Sequence, residues 1–159
     1  MAVWHATDPL RLDSLFSVMA STFNQMHAPL QAHGIDGVPV ALARICSLSE
    51  TSTVENNPYF AVVHAVSQVY NLPDDQVVTG RVLVFLTQMR PEFKALLQKK
   101  DRVALLILYL WYCRARRAVW WIEFRARVEC PAICLYLRRY HGDDADIEAF
   151  LSGEQSCRS

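Results

Sequence analysis

Residues 102 to 140 read R-V-A-L-L-I-L-Y-L-W-Y-C-R-A-R-R-A-V-W-W-I-E-F-R-A-R-V-E-C-P-A-I-C-L-Y-L-R-R-Y. This stretch holds three of the four tryptophans, three of the five cysteines and eight of the arginines. From Val103 to Cys113 it is apolar without interruption. As a helix those eleven residues rise only about 16 Å, against a hydrocarbon core of roughly 30 Å. The run therefore predicts a buried core helix and no membrane span. A helix that is apolar on every face must be surrounded by other helices. The expected fold is all-α: a single helical domain of about six to eight helices around a buried central helix.

The punctuation around the stretch is helical too. Asp101 is placed to cap the central helix, and Arg114, Arg116 and Arg117 suit its C-terminus, where the backbone dipole is negative. From Trp120 to Glu129 the pattern continues as helix, with Trp121, Phe124 and Val128 on one side and Glu123 four residues before Arg127. Pro131 is expected to kink or restart it, and His141-Gly142 to end it. Asp144 or Asp146 can cap a last short helix through Leu151, with residues 152–159 expected as a disordered tail.

Upstream, Asp8-Pro9 opens a helix to about Met26, with Leu12, Leu15, Phe16, Met19 and Phe23 at helical spacing. Pro29 to Pro39 is a breaker-rich connection before a short helix near Val40 to Leu48. The polar residues 49–57 read as a loop or sub-boundary within a domain spanning 1–151. Asn57-Pro58 starts a helix carrying Tyr59, Val62, Val63, Val66, Val69 and Tyr70 and stopping before Pro73. Asp74 or Asp75 is expected to cap a helix bearing Val77, Val78, Val82, Phe85 and Leu86. Phe93, Leu96 and Leu97 then form one or two further turns, whose spacing also fits a short apolar box for docking a partner.

The chain has 159 residues, 52% of them hydrophobic, enough for one substantial core. Sixteen basic residues balance sixteen acidic ones, so the molecule has no overall attraction to nucleic acid or anionic lipid. Cys46, Cys113, Cys130, Cys134 and Cys157 are few, odd in number and set in apolar helical pattern. They read as reduced, and the compartment as intracellular, nuclear or cytoplasmic. The opening Met-Ala-Val-Trp-His-Ala-Thr-Asp has neither a basic start nor an apolar run of signal-peptide length, so secretion is not expected.

Several chemistries can be weighed on these residues. Cys130 and Cys134 share a helix face, but a closed zinc site needs four ligands, and small buried packing residues are the simpler reading; no metal site is expected. His5, His27, His33, His64 and His141 are dispersed, with none spaced to couple a nucleophile and a carboxylate, and no phosphate loop or metalloprotease motif is present. No catalytic residue and no cofactor is therefore assigned. The arginines from Arg114 to Arg139 alternate with aromatics, as in nucleic-acid surfaces, yet they are spread around the helices and Glu123 and Glu129 are available as partners. No direct DNA binding is expected. Trp111, Tyr112, Trp120 and Trp121, with Arg125 and Glu129 as a polar fringe, are the candidates for a ligand pocket or an interface.

One order of residues is more specific. Phe85, Met89-Arg-Pro-Glu-Phe93 and Leu96-Leu97 are followed by Lys100-Asp101-Arg-Val-Ala-Leu105-Leu106 and Trp111-Tyr112. Trp120-Trp121, Arg125-Ala126, Glu129-Cys130, Ala132-Ile133-Cys134 and Tyr136-Leu137 come next. Over about residues 57–150 this resembles the C-terminal regulatory region of fungal zinc-cluster transcription factors, in particular the branch related to the sterol-uptake regulators. Two departures stand out: Arg102 where the family more often has proline, and no cysteine before Cys46 to build the zinc cluster that touches DNA. The resemblance implies a non-enzymatic effector domain without its DNA-binding half, either a piece of a regulator or an independent protein. Its partners would be a small apolar ligand, another protein or a second copy, and the acids from Asp143 to Glu154 would be the remnant of an activating tail. The alternative is a small helical enzyme of a fungal biosynthetic pathway acting on an apolar substrate, with Arg125, Glu129 and a histidine brought together by the fold.

Overall fold

The computed structural model describes residues 32–153, preceded by Thr22, Asn24 and Met26, which are helical. Most of the helix expected from Pro9 to Met26 lies outside the described residues. Within them are seven α-helices and no strand, only an isolated bridge between His33 and Thr53. The helices are α1 (Val40–Ile45), α2 (Phe60–Tyr70), α3 (Thr79–Thr87), α4 (Pro91–Gln98), α5 (Arg102–Ala115), α6 (Trp120–His141) and α7 (Ala145–Gly153), with a 3-10 turn at Asp74–Gln76 before α3. The all-α fold expected from the sequence is the fold observed.

The reading of α5 as the hub holds. It packs against α2, α3, α4 and, most extensively, α6, and ten of its fourteen residues are buried. Asp101 caps it as expected: one carboxylate oxygen accepts from the backbone N–H of Val103 at 3.1 Å and of Ala104 at 2.9 Å. That oxygen also takes the Tyr59 hydroxyl at 2.9 Å, tying the start of α5 to the start of α2. Satisfying orphan amides this way stabilises a helix end by about 0.5–2 kcal/mol.

The other helices start or end somewhat differently from their sequence signals. Asp74 and Asp75 open the 3-10 turn instead of capping α3, Val77 and Val78 are outside the helix, and α3 begins at Thr79. The Asp74 carboxylate is engaged elsewhere, by the guanidinium groups of Arg114 and Arg117. Two β-branched valines in a row also favour extended backbone. α4 starts with Pro91 at its first position and buries Phe93 completely. The Phe93, Leu96, Leu97 spacing therefore serves the core, with Leu96 and Leu97 half-buried.

Pro131 neither restarts nor ends α6, which runs as one element through it. Pro131 and Arg127, whose carbonyl loses its amide partner to the proline, are both exposed, so that carbonyl is open to solvent and not stranded in the core. Gly142 follows α6 with φ −70°, so it is not the left-handed stop that a terminal glycine implies. Glycine is needed there for space, because a Cβ would lie 2.5 Å from the carbonyl oxygen of Arg138.

Asp144 caps α7, accepting from the amides of Asp146 at 3.1 Å and Ile147 at 3.3 Å. The acids here are pinned to the fold. Asp144 pairs with Arg102, Asp146 with Arg44, and Glu148 with Arg138 at 2.8 Å, while Ile147, Phe150 and Leu151 are buried. This segment is a docked helix and not a free acidic tail, and Ser152 and Gly153 belong to it. Of the tail expected over 152–159, residues 154–159 lie outside the described residues. The polar segment 49–57 is irregular and bonded in place: Asn57 donates to the Cys46 carbonyl at 2.9 Å, and Gly34 N–H to the Ser52 carbonyl at 3.0 Å.

Candidate functional site

α3 and α4 approach the α5–α6 pair from one side, and a cavity of about 260 Å³ lies between them. Its aliphatic wall is Leu86, Met89, Leu97 and Leu108, and Ile122 adds to it from α6. Trp111 closes the back. Its indole N–H donates to the Val82 carbonyl at 2.9 Å, and its ring stacks on Phe85 with centroids 4.8 Å apart and planes 19° from parallel. Those contacts hold the ring in one orientation and satisfy its only donor.

The polar fringe is a bonded triad. The Tyr112 hydroxyl donates to one Glu129 oxygen at 2.6 Å, and Arg125 donates to the other from Nε at 3.0 Å and from Nη2 at 2.5 Å. Glu129 thus joins α5 to α6 and Arg125 to both. Burial pushes the Tyr112 phenol above its ordinary range, and the Glu129 hydrogen bond and charge push it further. The Arg125 guanidinium is held charged, first by its bond to Glu129 and then by Tyr112. Arg125 is mostly exposed and Glu129 about a third exposed, so the triad sits at the mouth.

Five of the six candidates named from the sequence, Trp111, Tyr112, Trp121, Arg125 and Glu129, line this one cavity. Trp120 does not. It is 81% exposed, because consecutive residues on a helix point about 100° apart, and with Trp121 turned to the mouth Trp120 faces solvent. The wall residues Leu86, Met89, Leu97 and Leu108 are not among the pocket candidates that the sequence offers. In sequence they are ordinary apolar positions, and nothing separates a cavity wall from a packed core until the helices are placed.

Cys130 is buried and Cys134 half-buried, and among the described residues no group of three or more His, Cys, Asp or Glu is placed to hold a metal ion. Burial pushes the thiols of Cys46 and Cys130 up to about 12, far from the thiolate a nucleophile needs. Cys46, Cys130 and Cys134 are free thiols. Cys113 is disulfide-bonded, which corrects the reading of every cysteine as reduced. His64 is buried, with Nε2 3.2 Å from the Gly34 carbonyl oxygen and its ring 4.5 Å from that of Phe60.

Five arginines of the band, Arg114, Arg117, Arg125, Arg127 and Arg138, pair with acids, the first two sharing Asp74. Arg114 turns inward to the carbonyls of Val69 and Leu72 and to Asp74, while Arg127 meets Glu123 at 2.7 Å and Arg138 meets Glu148. Arg139 lies over the Tyr140 ring at 5.9 Å. No helix among the described residues is long and apolar enough to cross a membrane. No family model matches the chain, and neither a curated protein nor a solved structure does.

Proposed function

We propose that this chain is a non-enzymatic regulatory module that binds a small, mostly apolar ligand with one hydrogen-bonding end in the cavity between α3, α4, α5 and α6. The observation that carries the reading is the Tyr112–Glu129–Arg125 triad closing one side of an otherwise aromatic and aliphatic pocket. Apolar walls with a few convergent polar groups are how helical domains hold small molecules. At about 260 Å³ the cavity lies just below the roughly 300–1,000 Å³ of drug-sized sites, which favours a short aliphatic or single-ring ligand. A hydroxyl at its polar end would donate to Glu129 and accept from Arg125. The resemblance to zinc-cluster effector regions supplies the regulatory context, with the DNA-touching half absent from these residues.

The enzyme alternative needs Arg125, Glu129 and a histidine together. No histidine among the described residues lines the cavity. Both oxygens of Glu129 already accept hydrogen bonds, from Tyr112 and from Arg125, and burial together with the Glu129 bond holds the Tyr112 phenol in its protonated form. This supports binding without turnover.

The test uses 1-octanol as probe. Trp111 and Trp121 both line the cavity, so tryptophan emission should shift to the blue and saturate, and the melting temperature should rise with alcohol concentration. Leu108→Phe, which fills the space, should abolish both responses, and Glu129→Gln should weaken binding about tenfold while the alkyl contact persists. Emission and melting temperature that stay unchanged across octanol and larger apolar alcohols would overturn the reading.

A further inference from the structure

α6 carries two apolar faces. Ile122, Ala126, Cys130, Ile133 and Leu137 recur every three or four residues and are buried. Trp120, Trp121, Phe124, Val128 and Leu135 fall within about 100° of arc on another face of the same helix, and all five are exposed. Scattered exposed apolar residues need no explanation, but an unbroken stripe of this kind marks an interaction surface. We propose that it is covered by α6 of a second copy of this chain, the two helices lying antiparallel about a two-fold axis near Val128.

Three features point to a second copy. The first is shape. The bulky residues Trp120, Trp121 and Phe124 occupy the N-terminal half of the stripe, and the smaller Val128, Pro131, Ala132 and Leu135 the C-terminal half. Antiparallel pairing sets large against small twice over, as an isologous interface requires. The second is charge. One edge of the stripe carries Glu123 and Arg127, the other Arg125 and Glu129. Reversing the helix about an axis near residue 127 sets Arg125 opposite the other copy's Glu129 and Glu129 opposite its Arg125. That axis is also the midpoint of the stripe, while Glu123 and Arg127 on the first edge stay paired within their own helix. The chain's zero net charge adds no repulsion between copies.

The third is area. Exposures of 81%, 42% and 75% for Trp120, Trp121 and Phe124, scaled from the roughly 150–250 Å² an aromatic side chain buries, amount to about 300–500 Å² per chain. Val128 and Leu135, both 69% exposed, extend this toward the roughly 800 Å² per partner of a standard interface. Trp121, Arg125 and Glu129 also line the cavity, so the second copy would lie over its mouth, while Trp120, Phe124, Val128 and Leu135 are outside it.

Sedimentation velocity of the full chain between about 1 and 100 µM tests it. A concentration-dependent dimer is expected, and Phe124→Glu should weaken it at least 30-fold with the far-ultraviolet circular dichroism unchanged. Val128→Cys, near the axis, should form a covalent dimer under mild oxidation beyond any formed by the unmodified chain. Ala149→Cys, exposed on α7, should not. A chain that stays monomeric at 100 µM, or a dimer indifferent to Phe124→Glu, would overturn the proposal. So would a monomer whose stripe partitions onto phosphatidylcholine vesicles, or one whose melting temperature falls with Phe124→Glu, which would assign the face to lipid or to residues of the chain itself.

Discussion

α5 and α6 lie side by side, and both are rich in aromatic and aliphatic residues, yet they meet opposite environments. α5 has ten of fourteen residues buried and begins with a capped amide pair; α6 has five of twenty-two buried and begins after Val119 with no side-chain cap. Trp111 on α5 is 2% exposed, with its N–H bonded; Trp120 on α6 is 81% exposed. The contrast teaches that a tryptophan's burial follows from the face it occupies and not from its own apolarity. α5 is a hub because every face meets another helix. α6 is a boundary, packed on one side and presenting a second apolar face outward.

The largest effect that separates the two helices should come from the same deletion made in each. Leu110 on α5 is fully buried among well-packed neighbours, so Leu110→Ala is expected to cost about 3–4 kcal/mol of unfolding free energy through lost transfer energy and a residual cavity. Leu135→Ala on α6 removes the same atoms from an exposed site and should change the monomer's stability by less than about 0.5 kcal/mol. Urea denaturation of both variants at a concentration that keeps the chain monomeric makes the comparison. Comparable losses would mean that the stripe is buried within a single chain.

The next contrast is in how the helices begin. Asp101→Ala removes the α5 cap and the acceptor for Tyr59 together, and should cost about 2 kcal/mol. Asp101→Asn keeps an oxygen for the amides and for the phenol and should recover most of that, as read by thermal denaturation. If the two variants were equally destabilised, the negative charge beside the helix N-terminus, and not the hydrogen bonds, would be what matters.

The apolar run Val103 to Cys113 made the all-α fold and its central helix legible, because a segment too short for a membrane and apolar all round has only the core to go to. Asp101 likewise announced the start of α5, and Asn57-Pro58 stands just ahead of the start of α2 at Phe60. What stayed hidden was relational. Asp74 looked like a cap because nothing local showed that Arg114 and Arg117 would claim it from forty residues away. The acids after Gly142 looked free because their arginines sit on α1, α5 and α6. For the cavity, the polar fringe could be read from Arg125 and Glu129 one turn apart beside Trp121. The bond from Glu129 across to Tyr112, and the separation of Trp120 from Trp121, depended on how α6 is rotated against α5.

That cross-helix bond gives the smallest and most specific contrast. Tyr112→Phe removes the hydroxyl that links α5 to α6 but leaves Glu129 paired with Arg125, so no buried charge is stranded and the loss at neutral pH should be only about 1 kcal/mol. The pH dependence carries more information. In the folded chain the Tyr112 phenol is raised above its ordinary value, by burial first and by Glu129 next, whereas in the unfolded chain it ionises near 10. As pH climbs past about 10 the unfolded chain releases that proton while the folded one retains it, so this residue's contribution to stability declines with rising pH. Phenylalanine has no proton to lose. The melting temperature of Tyr112→Phe should therefore fall less steeply between pH 9 and 11 than that of the unmodified chain, and the gap between them should narrow. Parallel slopes would show that the phenol is not held protonated at the α5–α6 seam, and the bond to Glu129 would then be too weak to define the mouth of the cavity.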